Sequence, residues 1–353
     1  MTRRRDDLVL VTGAGGFIGG HLVSELLRSG RTRVRAVDRK PLDEWHQIHD
    51  GVDNLVIDLS LRESCERACE GVAAIYQLAA DMGGMGFIET HKAECMLSVL
   101  INTHMLVAAR DCGAERFFFA SSACVYNAER QEDPDVTALR EEDAYPALPE
   151  DGYGWEKLFS ERMSRHFRED YGLATRIARY HNVYGPLGTW EGGREKAPAA
   201  ICRKVIEAKL SGDHSIEIWG GGSQTRSFMF IDDCIEGTRR IMDSDVVEPL
   251  NLGSSELVSI DQLVGLAEEI AGIRLTRYYA PDAPIGVNGR NSDNTRIRRA
   301  FGWEPSVPLR DGLEKTYKWI HDAYARRYGG RLGPRQTAPK GAHVDRHTVR
   351  DGG

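Results

Sequence analysis

The run Leu8-Val9-Leu10-Val11-Thr12, broken by Gly13-Ala14-Gly15-Gly16-Phe17-Ile18-Gly19 and followed by an amphipathic stretch to Arg28, most narrows what this chain can fold into. A short uninterrupted apolar run reads as a strand buried on both faces, as in a parallel sheet covered by helices. The glycines at the junction then have separate tasks. Gly13 permits a tight turn, Gly16 lets backbone approach a pyrophosphate, and Gly19 lets the helix pack closely on the strand. Where the chain enters the helix at Phe17 and Ile18, free N–H groups and the positive dipole end suit phosphate oxygens.

The rest of the first half repeats the alternation. Strands are predicted at Val34–Asp38, Leu55–Asp58, Ala74–Leu78, Arg116–Ser121 and Ala174–Ala178. Helices are predicted at Leu61–Glu70, Ile101–Cys112 and Tyr153 to about Tyr171. Such spacing predicts an α/β fold built on a right-handed, doubly wound parallel Rossmann sheet. Beyond His181 the pattern loosens into Gly- and Pro-rich loop, short strands at Ile216–Trp219 and Arg226–Phe230, and helices at Ala197–Lys209, Ile231–Met242, Ile260–Ala271 and Leu309–Tyr324. We expect a dinucleotide domain of residues 1–186 with about 226–252. A smaller α/β substrate domain follows, made of 187–225 and 253–326, and a disordered tail of 327–353 that is poor in large apolar residues.

Asp38 closes the second strand, about 20 residues beyond the glycines, where a carboxylate can accept hydrogen bonds from an adenine ribose. This favours NAD over NADP, although Arg39 beside it could suit a 2′-phosphate. Asp58 and Leu59 are expected near the adenine. Leu78, Ala79 and Ala80 are expected to leave room for the nicotinamide ribose.

The segment Tyr153-Gly154-Trp155-Glu156-Lys157 supplies chemistry for that cofactor. At i, i+4 the phenol and the ammonium share a helix face. A tyrosine of pKa about 10 is a poor base at neutral pH, but nearby positive charge brings its proton within range. Ser121 and Ser122, ending a strand, are candidate hydroxyl partners. Cys124 adds a reactive group that plain alcohol oxidation does not require.

Composition removes other classes. The net charge of −7 argues against a nucleic-acid binder. Basic clusters lie only near the termini, as in Arg3-Arg4-Arg5. No apolar stretch approaches the roughly 18 residues of a membrane span, and the run at Leu8 is too short for a signal peptide. Seven scattered cysteines without a CxxC pair suggest a reducing compartment, mostly buried thiols and no structural metal. A cytoplasmic location follows as the expectation.

Together, the glycine loop, the serines and Tyr-x-x-x-Lys resemble the extended short-chain dehydrogenase/reductase family, whose members mostly modify nucleotide sugars. Further blocks are similar to its GDP-mannose 3,5-epimerase branch: Ala80-Asp81-Met82-Gly83-Gly84-Met85-Gly86-Phe87, Ser121-Ser122-Ala123-Cys124, Gly192-Gly193-Arg194-Glu195-Lys196-Ala197-Pro198, Gln224-Thr225-Arg226-Ser227-Phe228 and Gly289-Arg290-Asn291-Ser292-Asp293-Asn294. The resemblance spans about residues 8–322. It implies that Tyr153, with Lys157 and Ser122, takes a hydroxyl proton while NAD accepts hydride from C4 of the hexose. The resulting ketone acidifies C3 and C5, and Cys124 and Lys196 form the acid/base pair. Which of the two removes the proton at each carbon stays open.

Physically, a thiol whose pKa is lowered by positive charge suits proton transfer at carbon, as does a lysine lowered by burial or by Arg194. By the same resemblance Gly83, Ala123, Asn182, Glu195, Ala197, Gln224 and Thr225 line the sugar or diphosphate. Lys204, Arg226 and Arg290 are implied to meet a GDP moiety. A homodimer through helices near Leu97–Ala109 and Lys157–Tyr171 is also implied. The stretch Glu207–Ser215 and the triplet Gly220-Gly221-Gly222 depart from the branch pattern, which bears on the base pocket. Two other readings remain: a 4-epimerase or 4,6-dehydratase of another nucleotide sugar, and a catalytically silent NAD-binding regulator. Against them stand Ala123-Cys124, where dehydratases carry an acidic pair, and the intact tyrosine and lysine.

Overall fold

Strands buried on both faces build the centre of the molecule. The computed structural model describes residues 7–333, and its main sheet has seven strands. They are β1 (Val9–Thr12), β2 (Val34–Asp38), β3 (Asp53–Val56), β4 (Ala74–Gln77), β5 (Arg116–Ser122), β6 (Ala174–Tyr180) and β7 (Leu250–Leu252). All pair in parallel, in the order β7-β6-β5-β4-β1-β2-β3. Val9, Val11 and Phe118 join one apolar core, whereas Leu10, Phe117 and Phe119 join the core on the opposite face. The two-residue period of a strand thus feeds both layers at once.

Helix α1 (Phe17–Arg28) covers the first face through Leu22, Val23 and Leu26. Helices α2 (Arg62–Cys69), α3 (Lys92–Asp111) and α4 (Tyr153–Tyr171) cover the second through Cys65, Met105, Leu106 and Phe167. The C-terminal helices Ala197–Ser211, Ile260–Ala271 and Leu309–Tyr328 pack together beside the paired strands Ser215–Trp219 and Thr276–Ala280. Their apolar residues continue the α1-side core. Because β1 lies between β2 and β4, the strand order reverses there, and a crevice opens at the carboxyl ends.

Several boundaries differ from the sequence expectations. Helix α3 begins at Lys92 and not at Ile101, because its first turns bury only Cys95 and Ser98 while Met96, Leu97 and Leu100 stay exposed. β3 stops at Val56, so Asp58 lies past its end, whereas β5 and β6 run on to Ser122 and Tyr180. The helices Met85–Thr90 and Thr295–Phe301 had no sequence signal, nor did the strands Leu257–Ser259, Thr276–Ala280 and Gly289–Arg290. The strands are short and pair with distant segments, as Gly289–Arg290 does with Thr225–Arg226. The last helix continues to Tyr328. Residues 1–6 and 334–353, with Arg3-Arg4-Arg5 and most of the expected tail, lie outside the described residues.

Candidate active site

Thr12 fixes the floor of the crevice. Its hydroxyl donates to Gln77 Oε1 at 2.6 Å and accepts from the backbone N–H of Leu78 and Ala79 at 3.0 and 3.1 Å. The end of β4 is therefore pinned against the glycine loop. Gly13 has φ +66, and a Cβ there would sit 3.1 Å from Ala79 N. A Cβ on Gly19 would lie 2.2 Å from Gly13 O, so the loop and α1 meet with no room for a side chain. Gly19→Ala is expected to cost about 1–3 kcal/mol by overpacking and to weaken dinucleotide binding; urea unfolding and NAD titration of the variant check both.

A cavity of about 620 Å³ follows from this arrangement. Gly13, Gly16, Phe17, Ile18 and Gly19 line one wall, and Asp38, Asp58 and Leu59 line the end near β2 and β3. Leu78, Ala79, Ala80 and Gly83 continue from β4, and Ser121, Ser122, Tyr153, Lys157 and Lys196 close the far end. All the cofactor candidates named from sequence thus share one space. Sequence reading did not name Lys40, His46, Asp81, Gly188, Thr189 or Arg194 for it. Asp81 is hydrogen-bonded to Arg39 at 3.0 Å and to Arg194 at 2.8 Å. Burial tends to raise its carboxyl, but those two guanidiniums hold it below the usual range. The cradle fits a dinucleotide: glycine backbone where phosphates must approach, and Asp38 at the ribose end.

The reacting end rests on α4. Gly152, at φ +75, turns the chain into the helix, and Tyr153, Glu156, Lys157, Ser160, Glu161 and Ser164 form its buried face. Asn102 on α3 hydrogen-bonds both Ser160, at 3.0 Å, and Glu156, which fixes the helix rotation. Lys157 Nζ lies 5.5 Å from the Tyr153 ring centroid and 3.6 Å from Glu156 Oε2. Ser122 Oγ accepts from Cys124 N at 3.2 Å and hydrogen-bonds Tyr153. Burial pushes the Tyr153 phenol well above a tyrosine's ordinary pKa, and Cys124 and Glu156 add to this, while Ser122 works the other way. The expectation that positive charge favours phenolate is therefore corrected for the protein alone, because burial outweighs that charge and Glu156, beside the lysine, adds to the effect.

Cys124 is 7% exposed and packs against Tyr153, Phe87 and Cys95. Its expected lowered pKa is also corrected. Burial and then Glu150 push the thiol up to about 11, with Arg290 opposing. Arg290 is buried and fully engaged, donating to Cys124 Sγ at 3.7 Å, to Gln131 Oε1 at 2.6 Å and to Glu150. Lys196 is half-buried and stands at the start of the helix Ala197–Ser211. Burial lowers its pKa; Cys124 opposes this and Arg290 contributes. The neighbour anticipated from sequence, Arg194, points instead to Asp81 and stacks over Phe87 at 3.7 Å.

Several substrate candidates lie outside the cavity lining and have protein partners. Ala123 is buried in the turn Ala123–Val125. Asn182, at φ 36, donates to Ser227 O at 3.0 Å. Glu195 accepts from Gly193 N at 2.7 Å and pairs with Arg203 at 3.2 Å, just before Ala197 begins its helix. Lys204 donates to Glu217 O at 2.8 Å and stands over the Trp219 ring. Gln224 donates to Trp219 O at 2.6 Å, and Thr225 to Pro134 O. Arg226 donates to Thr225 O at 2.7 Å, to Ile285 O at 2.9 Å and to Val287 O.

All seven cysteines are free thiols; six are buried, in line with the expectation of mostly buried thiols, and Cys112 is exposed. Its Sγ lies beside Cys69 and donates to Ala109 O at 3.4 Å, and the neighbouring thiol draws its pKa down. Among the described residues no group of His, Cys, Asp and Glu side chains could hold a metal ion, and no helix is long and apolar enough to cross a membrane.

A glycine-cradled dinucleotide cavity ending in serine, tyrosine and lysine fits a nicotinamide-dependent enzyme of hydride transfer. The sequence model of the NAD dependent epimerase/dehydratase family matches residues 9–253, and the chain belongs to that family as an NAD-dependent epimerase. Within it the chain falls on the GDP-mannose 3,5-epimerase branch. It is 44% identical over 321 residues to GDP-mannose 3,5-epimerase 1 of Oryza sativa subsp. japonica, covering 89% of this chain and 82% of that protein. Among solved structures, UDP-glucose 4-epimerase of Thermotoga maritima with UDP-glucose matches with a TM-score of 0.79 at 25% identity, covering 90% of this chain and 99% of that one. MoeE5 in complex with UDP-glucose and NAD matches with a TM-score of 0.74 at 30% identity and the same coverage.

Proposed function

We propose that this enzyme inverts C3, C5 or both in a GDP-mannose-type nucleotide sugar through a transient 4-ketone, giving GDP-L-galactose, GDP-L-gulose or both. One observation carries the reading. A thiol, Cys124, is packed against the phenol of Tyr153, and the Lys196 ammonium is near enough to feel its charge. Inversion at C4 alone needs no second acid/base pair, whereas exchange of carbon-bound protons beside a ketone does.

NAD, when bound, takes hydride from C4 and returns it there, so it is not consumed. Tyr153 receives the C4 hydroxyl proton, and Ser122 holds the same oxygen by a hydrogen bond. Lys157 favours the deprotonated phenol once the bound nicotinamide adds its own charge to offset Glu156. The ketone acidifies the C–H bonds at C3 and C5. Cys124 and Lys196 then serve opposite faces of the ring, one accepting and the other donating. Burial of the lysine lowers the cost of its losing a proton, which is what a donor on an apolar wall needs.

By this reading residues 1–186 with about 226–252 hold the dinucleotide, and 187–225 with 253–326 hold the nucleotide sugar. Arg226, Arg290 and Lys204 each keep N–H donors beyond those their present partners use, and by this reading these meet the diphosphate or base. Exposed Leu97 and Phe159, on α3 and α4, support a homodimer through those helices. The cytoplasm is the compartment that suits seven free thiols.

Incubation with GDP-mannose in deuterated water is the test. Deuterium is expected at C3 and C5, read by mass spectrometry of the sugar. Label at C5 alone restricts the reaction to one centre, and its absence from both rejects the reading.

A further inference from the structure

Glu150 is a buried carboxylate that the scheme above does not use. Its side chain is 10% exposed. One oxygen accepts from Arg290, and the other, Oε2, is buried with no hydrogen-bond partner. The carboxylate faces the Cys124 thiol. The backbone fixes this approach, since Glu150 N donates to Cys124 O at 3.0 Å. A Cβ on Gly154 would lie 2.3 Å from that same carbonyl, so the start of α4 is seated on it as well. Cys124, Glu150 and Tyr153 therefore belong to one rigid joint. Arg290 spans the pair, donating to Sγ at 3.7 Å and to the carboxylate at once.

We infer that Glu150 is a positioning and proton-holding residue for Cys124: it receives the thiol proton, so that the thiolate can act at carbon, and later gives a proton back to the site. The inference rests on the proposed inversion chemistry. In the resting site sulfur carries a proton and Glu150 is ionised. Burial and the carboxylate raise the thiol, while Arg290 keeps the carboxyl below its usual range against the effect of burial. To start, the S–H bond breaks and its proton goes to Glu150, an uphill transfer that leaves the thiolate held by the Arg290 guanidinium. The thiolate then takes the carbon-bound proton, reforming S–H, while the Lys196 ammonium protonates the opposite face. The site now holds a neutral carboxyl and a neutral amine. Transfer of one proton from Glu150 to Lys196 restores the starting state, and no outside reagent is consumed. A substrate inverted at two carbons needs such a reset between them.

The charged and titratable groups facing this pair are Tyr153, Lys196, Arg226 and Arg290, with Glu89 on the far side of the carboxylate. Arg226 and Arg290 stay protonated near neutral pH and so do not relay a proton. Among the described residues Glu150 is then the carboxylate placed to relay.

Two readouts on purified holoenzyme test this: reduction of the bound cofactor on adding GDP-mannose, and deuterium entry at C3 and C5. Glu150→Gln is expected to keep the first and lower the second by about a hundredfold. Its residual exchange should rise with pH as thiolate forms, whereas wild-type exchange is flat over that span. Glu150→Asp should recover part of the loss. Wild-type exchange in Glu150→Gln overturns the inference, and so does equal loss of both readouts with no recovery in Glu150→Asp, which marks a purely structural role. If wild type reduces its cofactor but exchanges nothing, the inversion reading itself fails, a result distinct from either.

Discussion

Tyr153→Phe is expected to lower epimerisation by about a thousandfold while leaving the fold intact. The phenol oxygen is the group in contact with Ser122 that can take the C4 proton, and general acid/base groups of this kind contribute about 10²–10⁴-fold. Only one oxygen is removed. The ring keeps its place among Phe87, Ile88, Cys95 and Cys124, and Ser122 keeps its bond from Cys124 N. Because the ketone precedes every later step, both cofactor reduction and deuterium exchange should fall together. Single-turnover absorbance of the nicotinamide, alongside sugar chromatography, checks this. An undiminished rate of inversion would remove the phenol from the mechanism.

Cys124→Ser separates the two halves of the reaction. Serine preserves the buried site's size but replaces a thiol by an alcohol that stays protonated throughout the working range. Exchange at C3 and C5 is expected to fall by at least about a hundredfold, whereas hydride transfer to bound NAD persists. The reduced cofactor should then accumulate with the 4-ketone on adding GDP-mannose, a spectroscopic signature that a folding defect would not produce. Product formation at the wild-type rate would show that sulfur is not the base or acid. The ligand-free thiol, pushed up to about 11, is protonated at neutral pH. A working thiolate therefore requires a proton acceptor beside it or a change of surroundings on substrate binding.

Much of the dinucleotide half was legible because its signals are local. Strand runs such as Val34–Asp38 are written in adjacent residues, and the structure repeats them. Tyr153–Tyr171 was readable for the same reason. The cofactor candidates converge on one cavity because the ends of parallel strands must do so once the order is set. What could not be read is what distant segments do to each other. Nothing in the sequence marks Glu150, and only the pairing of its loop with Cys124 O brings it to the thiol. The direction of the thiol and phenol shifts was missed because burial, which a sequence does not display, outweighs the positive charges it does. Gly289–Arg290 gave no strand signal because two residues carry no period.

The carboxylate of Asp81, gripped from opposite sides by Arg39 and Arg194, joins the adenosine end of the cavity to the loop that carries Lys196. Both guanidiniums are well exposed, so the latch opens at small cost. Through that one carboxylate, any movement of Arg39 beside Asp38 is felt by the loop of Lys196.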